Sequence, residues 1–225
     1  MSDLWITLPS DVSVVKNTGR VNRESTKSVL DFCDTACRWH DGDRARQHGQ
    51  KAEVVYNFDS EPVGKVPDGF KSYASGSGPE GKWLIKDAAD TSNGKHVVEQ
   101  TDADRTNSRF PILIADKVEY ADLDVSVKGK AISGKRDQVI GLVFRFRDPE
   151  SYYVVRANAL ENNYRLYRMV NGRRLQFAGA NVKVSSNQWH TLRVVAKGDH
   201  IVCYYDGKPL IDAHDKMYAT GKVGL

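Results

Sequence analysis

Hydrophobic and polar positions alternate along most of the chain beyond residue 52. Over residues 121–128, Ala, Leu and two Val alternate with two Asp, Ser and Lys. Residues 140–147 repeat the pattern, with Ile140, Leu142, Phe144 and Phe146 on one side and smaller or charged residues on the other. A period of two is typical of a β-strand with one buried and one solvated face. Both segments are therefore predicted to be strands of an antiparallel sheet.

Turn sequences separate such segments at short intervals. Asn171-Gly172 is a strong signal for a two-residue hairpin, and Asp206-Gly207 marks another turn. The pattern gives roughly ten short strands, with residues 62–81 as a loop and no helix between strands. Crossover helices are missing, so a parallel α/β fold is excluded. The prediction for residues 53–225 is an all-β, two-sheet antiparallel β-sandwich of the jelly-roll type.

The first 52 residues have a different character and are predicted to be a separate, mostly non-β, partly helical N-terminal extension. Their periodic stretch places Val29, Phe32, Cys33 and Ala36 at helical spacing, which predicts one amphipathic helix over residues 23–40. This extension cannot enclose a core by itself. It either docks on the sandwich or stays loose.

Composition narrows the function classes. The chain has 225 residues, 40% of them hydrophobic, and a net charge of +4. This composition excludes a disordered protein and a disulfide-rich mini-protein. The charge is too small for a dedicated nucleic-acid binder, and the apolar runs are too short for a membrane span. Residues 1–10 lack the pattern of a secretory signal, so the compartment stays open.

Two pairs of aspartates are candidates for chemistry. Asp122 and Asp124 are expected on the same face of one strand, about 6–7 Å apart, a separation compatible with the paired carboxylates of a glycoside hydrolase. Asp102 and Asp104 flank one residue of a loop and could hold Ca²⁺, although a solvated turn is the simpler interpretation. No other cofactor is expected.

One sheet face is predicted to concentrate polar side chains. If the apolar residues of neighbouring strands point to the core, the two aspartates and several planar donors and rings share the opposite face. Arginine forks, an amide and an aromatic ring are suited to a polyhydroxylated sugar. An inert face that keeps the protein in solution explains the same pattern. We call this set the predicted polar face; besides Asp122 and Asp124 it contains Arg145, Tyr152, Arg156, Asn158, Arg165 and Tyr167.

Several of these strands are similar in sequence to a known superfamily. The segments are Gly-Leu-Val-Phe-Arg-Phe-Arg-Asp (141–148), Ser-Tyr-Tyr-Val-Val-Arg-Ala-Asn-Ala-Leu-Glu-Asn-Asn (151–163), Trp-His-Thr-Leu-Arg-Val (189–194), Tyr-Asp-Gly-Lys-Pro-Leu (205–210) and Gly-Lys-Val-Gly-Leu (221–225). They resemble the concanavalin A-like lectin/glucanase superfamily, and more narrowly its laminin-G-like members near the 3-keto-disaccharide hydrolase domain family.

The resemblance covers residues 53–225 and implies a curved jelly roll that binds or cleaves glycans and is often exported. Some relatives carry a catalytic Glu-x-Asp-x-x-Glu strand, whereas this chain has only Asp122-Leu123-Asp124. Relatives also usually continue beyond the position of Leu225.

We therefore expect a carbohydrate-binding module that recognises glycan on the predicted polar face. Two alternatives stay open: a glycoside hydrolase of the 3-keto-disaccharide type that uses Asp122 or Asp124, and a structural or protein-interaction module without a ligand.

Overall fold

The computed structural model describes residues 6–8, 12–16, 52–88, 94–102 and 104–225, and every regular element in these ranges is a β-strand. The helix expected over residues 23–40 lies outside them. The described ranges hold no helix of the length and hydropathy needed to cross a bilayer. The strands are β1 (Ile6–Leu8), β2 (Val12–Lys16), β3 (Ala52–Tyr56), β4 (Phe70–Gly76), β5 (Trp83–Asp87), β6 (His96–Gln100), β7 (Arg109–Tyr120), β8 (Leu123–Ala131), β9 (Val139–Asp148), β10 (Ser151–Asn158), β11 (Asn163–Val170), β12 (Arg173–Asn181), β13 (His190–Lys197), β14 (His200–Tyr205), β15 (Lys208–His214) and β16 (Gly221–Gly224).

The strands form two antiparallel sheets, as predicted from the alternating pattern. The nine-stranded sheet runs β15-β14-β13-β8-β1-β6-β5, with β2 paired to β8 and β3 paired to β2. The seven-stranded sheet runs β12-β11-β10-β9-β16-β7-β4. One continuous apolar core lies between them and includes Trp83, Val125, Phe144, Tyr164 and Leu192, all at most 1% exposed.

Two segments from the first 52 residues belong to the nine-stranded sheet. β1 pairs with the second half of β8, Ile6 opposite Ala131, and β2 pairs with its first half, Val14 opposite Val125. The extension expected over residues 1–52, docked or loose, stays a prediction. The domain boundary between residues 52 and 53 stays a prediction.

Two strands of the seven-stranded sheet lie where the sequence pattern predicted none. The expected loop over residues 62–81 is wrong in its middle, because Phe70–Gly76 forms β4. The twelve-residue β7 contains a run, Ile112 to Ala115, in which every residue is buried. A strand covered on both sides shows no alternation, which explains why the pattern missed it.

A β-bulge in β9 changes which side chains face the core. Pairing with β10 moves from Phe144 opposite Tyr153 to Asp148 opposite Ser151, so β9 carries extra residues here. Arg145 lies in the bulge with a φ of 49°. Beyond the bulge the alternation is reversed, and Phe146 joins a second apolar cluster on the outer face of the sheet.

Candidate functional site

A cleft crosses the outer face of the seven-stranded sheet near the loops that lead into β7 and β9. It consists of two adjoining cavities of about 240 and 110 Å³, which share the side chains of Arg109, Phe110, Asp137 and Arg174. Together they reach the lower end of the range of roughly 300–1,000 Å³ that is typical of ligand sites. The residues that define the cleft are Gln100, Asp102, Arg109, Phe110, Arg136, Asp137, Arg156, Tyr167 and Arg174.

Aromatic rings and guanidinium groups form one wall of the cleft. The Arg174 guanidinium lies 4.3 Å from the ring centre of Phe110 and 4.9 Å from that of Tyr167. Arg156 lies 5.5 Å from the same tyrosine ring and donates a 3.1 Å hydrogen bond to its hydroxyl. Stacking occupies the flat faces of a guanidinium and leaves its N–H edges for hydrogen bonds.

Two side chains of the cleft hold buried polar atoms that have no partner among the described residues. They are Nε and Nη1 of Arg156 and both amide atoms of Gln100, a residue that is only 1% exposed. Each such group left unpaired costs on the order of 1–3 kcal/mol. Both side chains line the cleft, so a polar ligand that reaches these atoms would supply the partners they lack.

Asp102 anchors the polar end of the cleft. Both of its carboxylate oxygens accept hydrogen bonds from Arg109, at 2.8 Å each, and its other donors are the amides of Lys82 and Asp104. Burial alone would raise the pKa of Asp102, but the hydrogen bonds of Arg109 and the two amides outweigh it, so the pKa lies below its usual range. The carboxylate is ionised and committed to these donors.

These hydrogen bonds of Asp102 bear on the prediction that Asp102 and Asp104 could hold Ca²⁺. Hydrogen bonds from the Thr106 side chain and, at 2.8 Å, from the Thr106 amide lower the pKa of Asp104. Asp102 thus holds Arg109 in place, and Asp104 pairs with Thr106 two residues later. This geometry favours the solvated turn over a cation site.

A second carboxylate lies between the two cavities. Asp137 lines both of them and accepts a 2.7 Å hydrogen bond from Nδ2 of the fully buried Asn158. Arg136 donates to Asn107 across the larger cavity. The loop that precedes β9 therefore adds one acceptor and one donor to the site.

Three residues of the predicted polar face meet at this cleft. Arg156 and Tyr167 line it, and Asn158 supports it through Asp137. Tyr152 lies further along the same face but is 1% exposed, and burial raises its pKa to about 12. Arg165 is opposite Arg156 in the register, yet it donates to the edge strand at Ala180 and Asn181.

The expectation that Arg145 points outward from the sheet is wrong. Its guanidinium is 1% exposed and donates to three backbone carbonyls, those of Ala121, Gly198 and Tyr218, at 2.8–3.2 Å. The bulge turns the side chain inward, and its hydrogen bonds connect three loop segments at one end of the sandwich, those that contain Ala121, Gly198 and Tyr218.

Asp122 and Asp124 do not share the face of the cleft either. Asp124 is in β8 of the other sheet, where Arg193 donates a 2.6 Å hydrogen bond to each of its carboxylate oxygens. Asp122 precedes that strand and accepts a 2.8 Å hydrogen bond from the amide of Gly198. Both aspartates hold local structure, and the single face assumed from the sequence is in fact divided between two sheets.

Six residues of the cleft were not predicted from the sequence, namely Gln100, Arg109, Phe110, Arg136, Asp137 and Arg174. A signal existed for Arg174, because the Asn171-Gly172 turn sets a register that pairs Met169 with Arg174. Arg109 and Gln100 come from β7 and from the opposite sheet, and no local pattern brings them together.

Comparison with known proteins places this geometry in context. Residues 53–225 match the sequence model of the 3-keto-alpha-glucoside-1,2-lyase-like domain family, and the chain belongs to that family. A levanase of Bacillus subtilis (strain 168) is 28% identical over 85 residues. That match covers 37% of this chain and 13% of the levanase, so it spans only a small part of that protein.

A solved structure supports the architecture. The carbohydrate-binding module CBM66 from Bacillus subtilis superimposes with a TM-score of 0.55 and 22% sequence identity. The similarity covers 69% of this chain and 85% of that module. It shows a shared β-sandwich fold.

Proposed function

We propose that the protein binds carbohydrate in the cleft on the outer face of the seven-stranded sheet. The observation that carries the proposal is the set of unpaired buried polar atoms of Arg156 and Gln100, two side chains that line a cleft walled in part by Tyr167 and Phe110. A sugar presents apolar C–H faces and a rim of hydroxyls, and this wall offers partners for both.

Each group has a distinct task in this proposal. Arg156 donates from Nε and Nη1 to ring or hydroxyl oxygens, while Gln100 both donates and accepts. Tyr167 and Phe110 pack against the sugar ring, and Asp137 accepts from a hydroxyl. The pair of Asp102 and Arg109 is already joined in the unliganded protein, which limits the ordering needed on binding.

The relatives support a glycan as the ligand. The structural neighbour is named a carbohydrate-binding module and the sequence relative is named a levanase. Their shared theme is carbohydrate, whereas the fold alone is compatible with many functions.

Cleavage of the glycosidic bond of a 3-keto-glycoside, by elimination or by hydrolysis, is a second candidate function, favoured by the name of the family. In that case the carboxylates of the cleft, Asp102 and Asp137, are the candidates for acid–base chemistry. The lowered pKa of Asp102 makes it unsuited to donate a proton near neutral pH. Asp137 is therefore the better candidate, in place of Asp122 and Asp124.

Calorimetric titration with a glycan panel that includes levan and 3-keto-glucosides tests the binding proposal. Loss of the charged hydrogen bonds in Arg156→Ala, worth about 1.5–3 kcal/mol, is expected to weaken binding by about 10- to 150-fold. The matched control is Arg193→Ala, which removes an arginine from the outer face of the other sheet. A wild-type protein that binds no glycan of the panel, or an Arg156→Ala variant that binds as tightly as wild type, would contradict the proposal.

The catalytic candidate has its own assay. Incubation of wild-type protein with 3-keto-glucosides, followed by chromatography of the products, measures turnover. If the cleft is catalytic, Asp137→Asn abolishes turnover and Asp124→Asn retains it. Binding without turnover would assign the protein to recognition alone.

A further inference from the structure

A cluster of two histidines and one aspartate lies on the hairpin of β14 and β15, in the sheet opposite to the cleft. His200 and His214 are directly opposite each other in the register, and Asp212 points to the same side two residues earlier on β15. Their metal-ligating atoms lie within 4.8 Å of one another. From this geometry we propose that His200, Asp212 and His214 form a binding site for a divalent transition metal ion such as Zn²⁺, Ni²⁺ or Cu²⁺.

The distances inside the cluster are close to those of a coordination sphere. Nε2 of His200 is 2.7 Å from a carboxylate oxygen of Asp212. Two ligands bonded to one ion at about 2.0–2.1 Å are about 3 Å apart, so a slight opening of this contact admits the ion. The two imidazole rings are nearly parallel, with centres 4.7 Å apart, and both edges can turn toward one point.

The ligand types define the metal. Imidazole nitrogen suits Zn²⁺, Ni²⁺ and Cu²⁺, whereas Ca²⁺ and Mg²⁺ prefer sites made only of oxygen. Three protein ligands on an exposed hairpin leave the remaining coordination positions for water or for a ligand from solution. The side chains of Asp212 and His214 are 70% and 65% exposed, so an ion reaches the site without unfolding.

Asp199 supports the arrangement from the turn between β13 and β14. One of its carboxylate oxygens lies 3.5 Å from Nδ1 of His214, and the other is 3.9 Å from the Lys216 ammonium. A carboxylate on the second ring nitrogen orients a ligating histidine and leaves Nε2 for the metal. The four residues therefore resemble a metal site with its supporting contact.

A bound ion would join β14 to β15, which is the terminal strand of the nine-stranded sheet. Terminal strands have unpaired backbone groups along one side and open more readily than central ones. A ligand that binds only the folded hairpin stabilises it by mass action. The consequence is a midpoint of thermal unfolding that rises with metal concentration.

The test is titration of the full, metal-stripped chain with ZnCl₂ and with NiCl₂, followed by calorimetry. His200→Gln and His214→Gln are each expected to lose one equivalent of bound metal and the metal-dependent rise in the unfolding midpoint. Asp199→Asn keeps the ligands and weakens binding by about 10- to 100-fold. His96→Gln, in β6, is the matched control and retains the full stoichiometry.

Other thiols and imidazoles of the sequence, at Cys33, Cys37, His40 and His48, are present in every variant, so only the difference from wild type assigns the site. Circular dichroism confirms that each variant is folded. Electron paramagnetic resonance of the Cu²⁺ complex should detect two histidine nitrogens at this site in wild type, and this signal should be absent in each of the two single variants. Equal stoichiometry in wild type, His200→Gln and His214→Gln would overturn the proposal, and so would an equal loss in His96→Gln.

Discussion

Replacement of Arg145 by methionine is predicted to destabilise the fold strongly without affecting the cleft. The side chain makes four hydrogen bonds to the carbonyls of Ala121, Gly198 and Tyr218. Methionine retains much of the volume but leaves three acceptors without a donor. At roughly 1 kcal/mol or more for each, and with 3–5 kcal/mol typical for removing one partner of a buried charged network, the expected loss is about 3–5 kcal/mol.

Urea unfolding followed by tryptophan fluorescence measures this loss, which corresponds to a fall of roughly 10 °C in the unfolding midpoint for a chain of this size. Arg147→Ala is the matched control, since Arg147 is exposed and its guanidinium lies over the ring of Tyr218, 5.6 Å from the ring centre. Its removal is expected to cost about 1 kcal/mol or less. A loss in Arg145→Met no larger than that of the control would refute the assignment of Arg145 to the frame of the fold.

A second substitution separates hydrogen bonding from backbone strain. Arg145 has a φ of 49°, in the left-handed region that costs a non-glycine residue about 1–2 kcal/mol. Arg145→Ala and Arg145→Gly lose the same hydrogen bonds and nearly the same volume, but only glycine relieves this strain, so Arg145→Gly should be about 1 kcal/mol more stable than Arg145→Ala. Below their unfolding midpoints, both variants are expected to bind glycan as wild type does, because Arg145 lies outside the cleft.

Three further predictions concern stability. Asp102→Asn removes a carboxylate whose pKa is lowered in the folded chain. The stability that this carboxylate contributes is fully present above its unfolded pKa of 3.8 and is lost as the pH falls through the lower folded pKa. The difference in unfolding free energy between variant and wild type, measured in urea, should therefore shrink between about pH 5 and pH 3. A difference that grows toward acid pH would contradict this sign. Gly224→Ala places a methyl group 2.3 Å from the carbonyl oxygen of Leu113 and should cost about 1–3 kcal/mol. Gly141→Ala, whose new methyl group would have Cγ2 of Val154 as its nearest neighbour at 4.0 Å, should cost less, and equal losses would argue against the close strand approach. Phe146→Ala should cost about 3–5 kcal/mol, as for a core phenylalanine, and a loss below 1 kcal/mol would show that the outer cluster is loosely packed.

The sequence pattern predicted most of the sandwich because most strands have one buried and one solvated face. Along β8, buried and half-buried residues alternate without interruption, and its strand assignment is confirmed. β7 was missed for the opposite reason, since its central residues are buried on both sides. Periodicity reports the difference between two faces, so it fails where that difference vanishes.

The candidate site was predictable only in part, because its residues come from distant segments. Arg156 and Tyr167 follow from alternation within adjacent strands. Arg145 was misplaced because a bulge is invisible to a period of two, and the bulge in β9 changes which face each later side chain joins. Asp124 was misplaced because alternation reveals the solvated face of a strand but not the sheet to which the strand belongs.

The outer face of the seven-stranded sheet has features of a binding surface that an inert face would lack. An inert solvated face would expose its side chains and satisfy its charges with water or with neighbouring charges. Here Phe146, Tyr152 and Met169 are at most 2% exposed on that face and form a firm base beside the cleft. Arg156 is held against this base by Tyr167 and Glu161, yet two of its nitrogens lack partners among the described residues. A rigid apolar base that presents unpaired donors costs stability in the unliganded state, and a ligand that pairs with those donors recovers it; this balance favours recognition over a purely structural role.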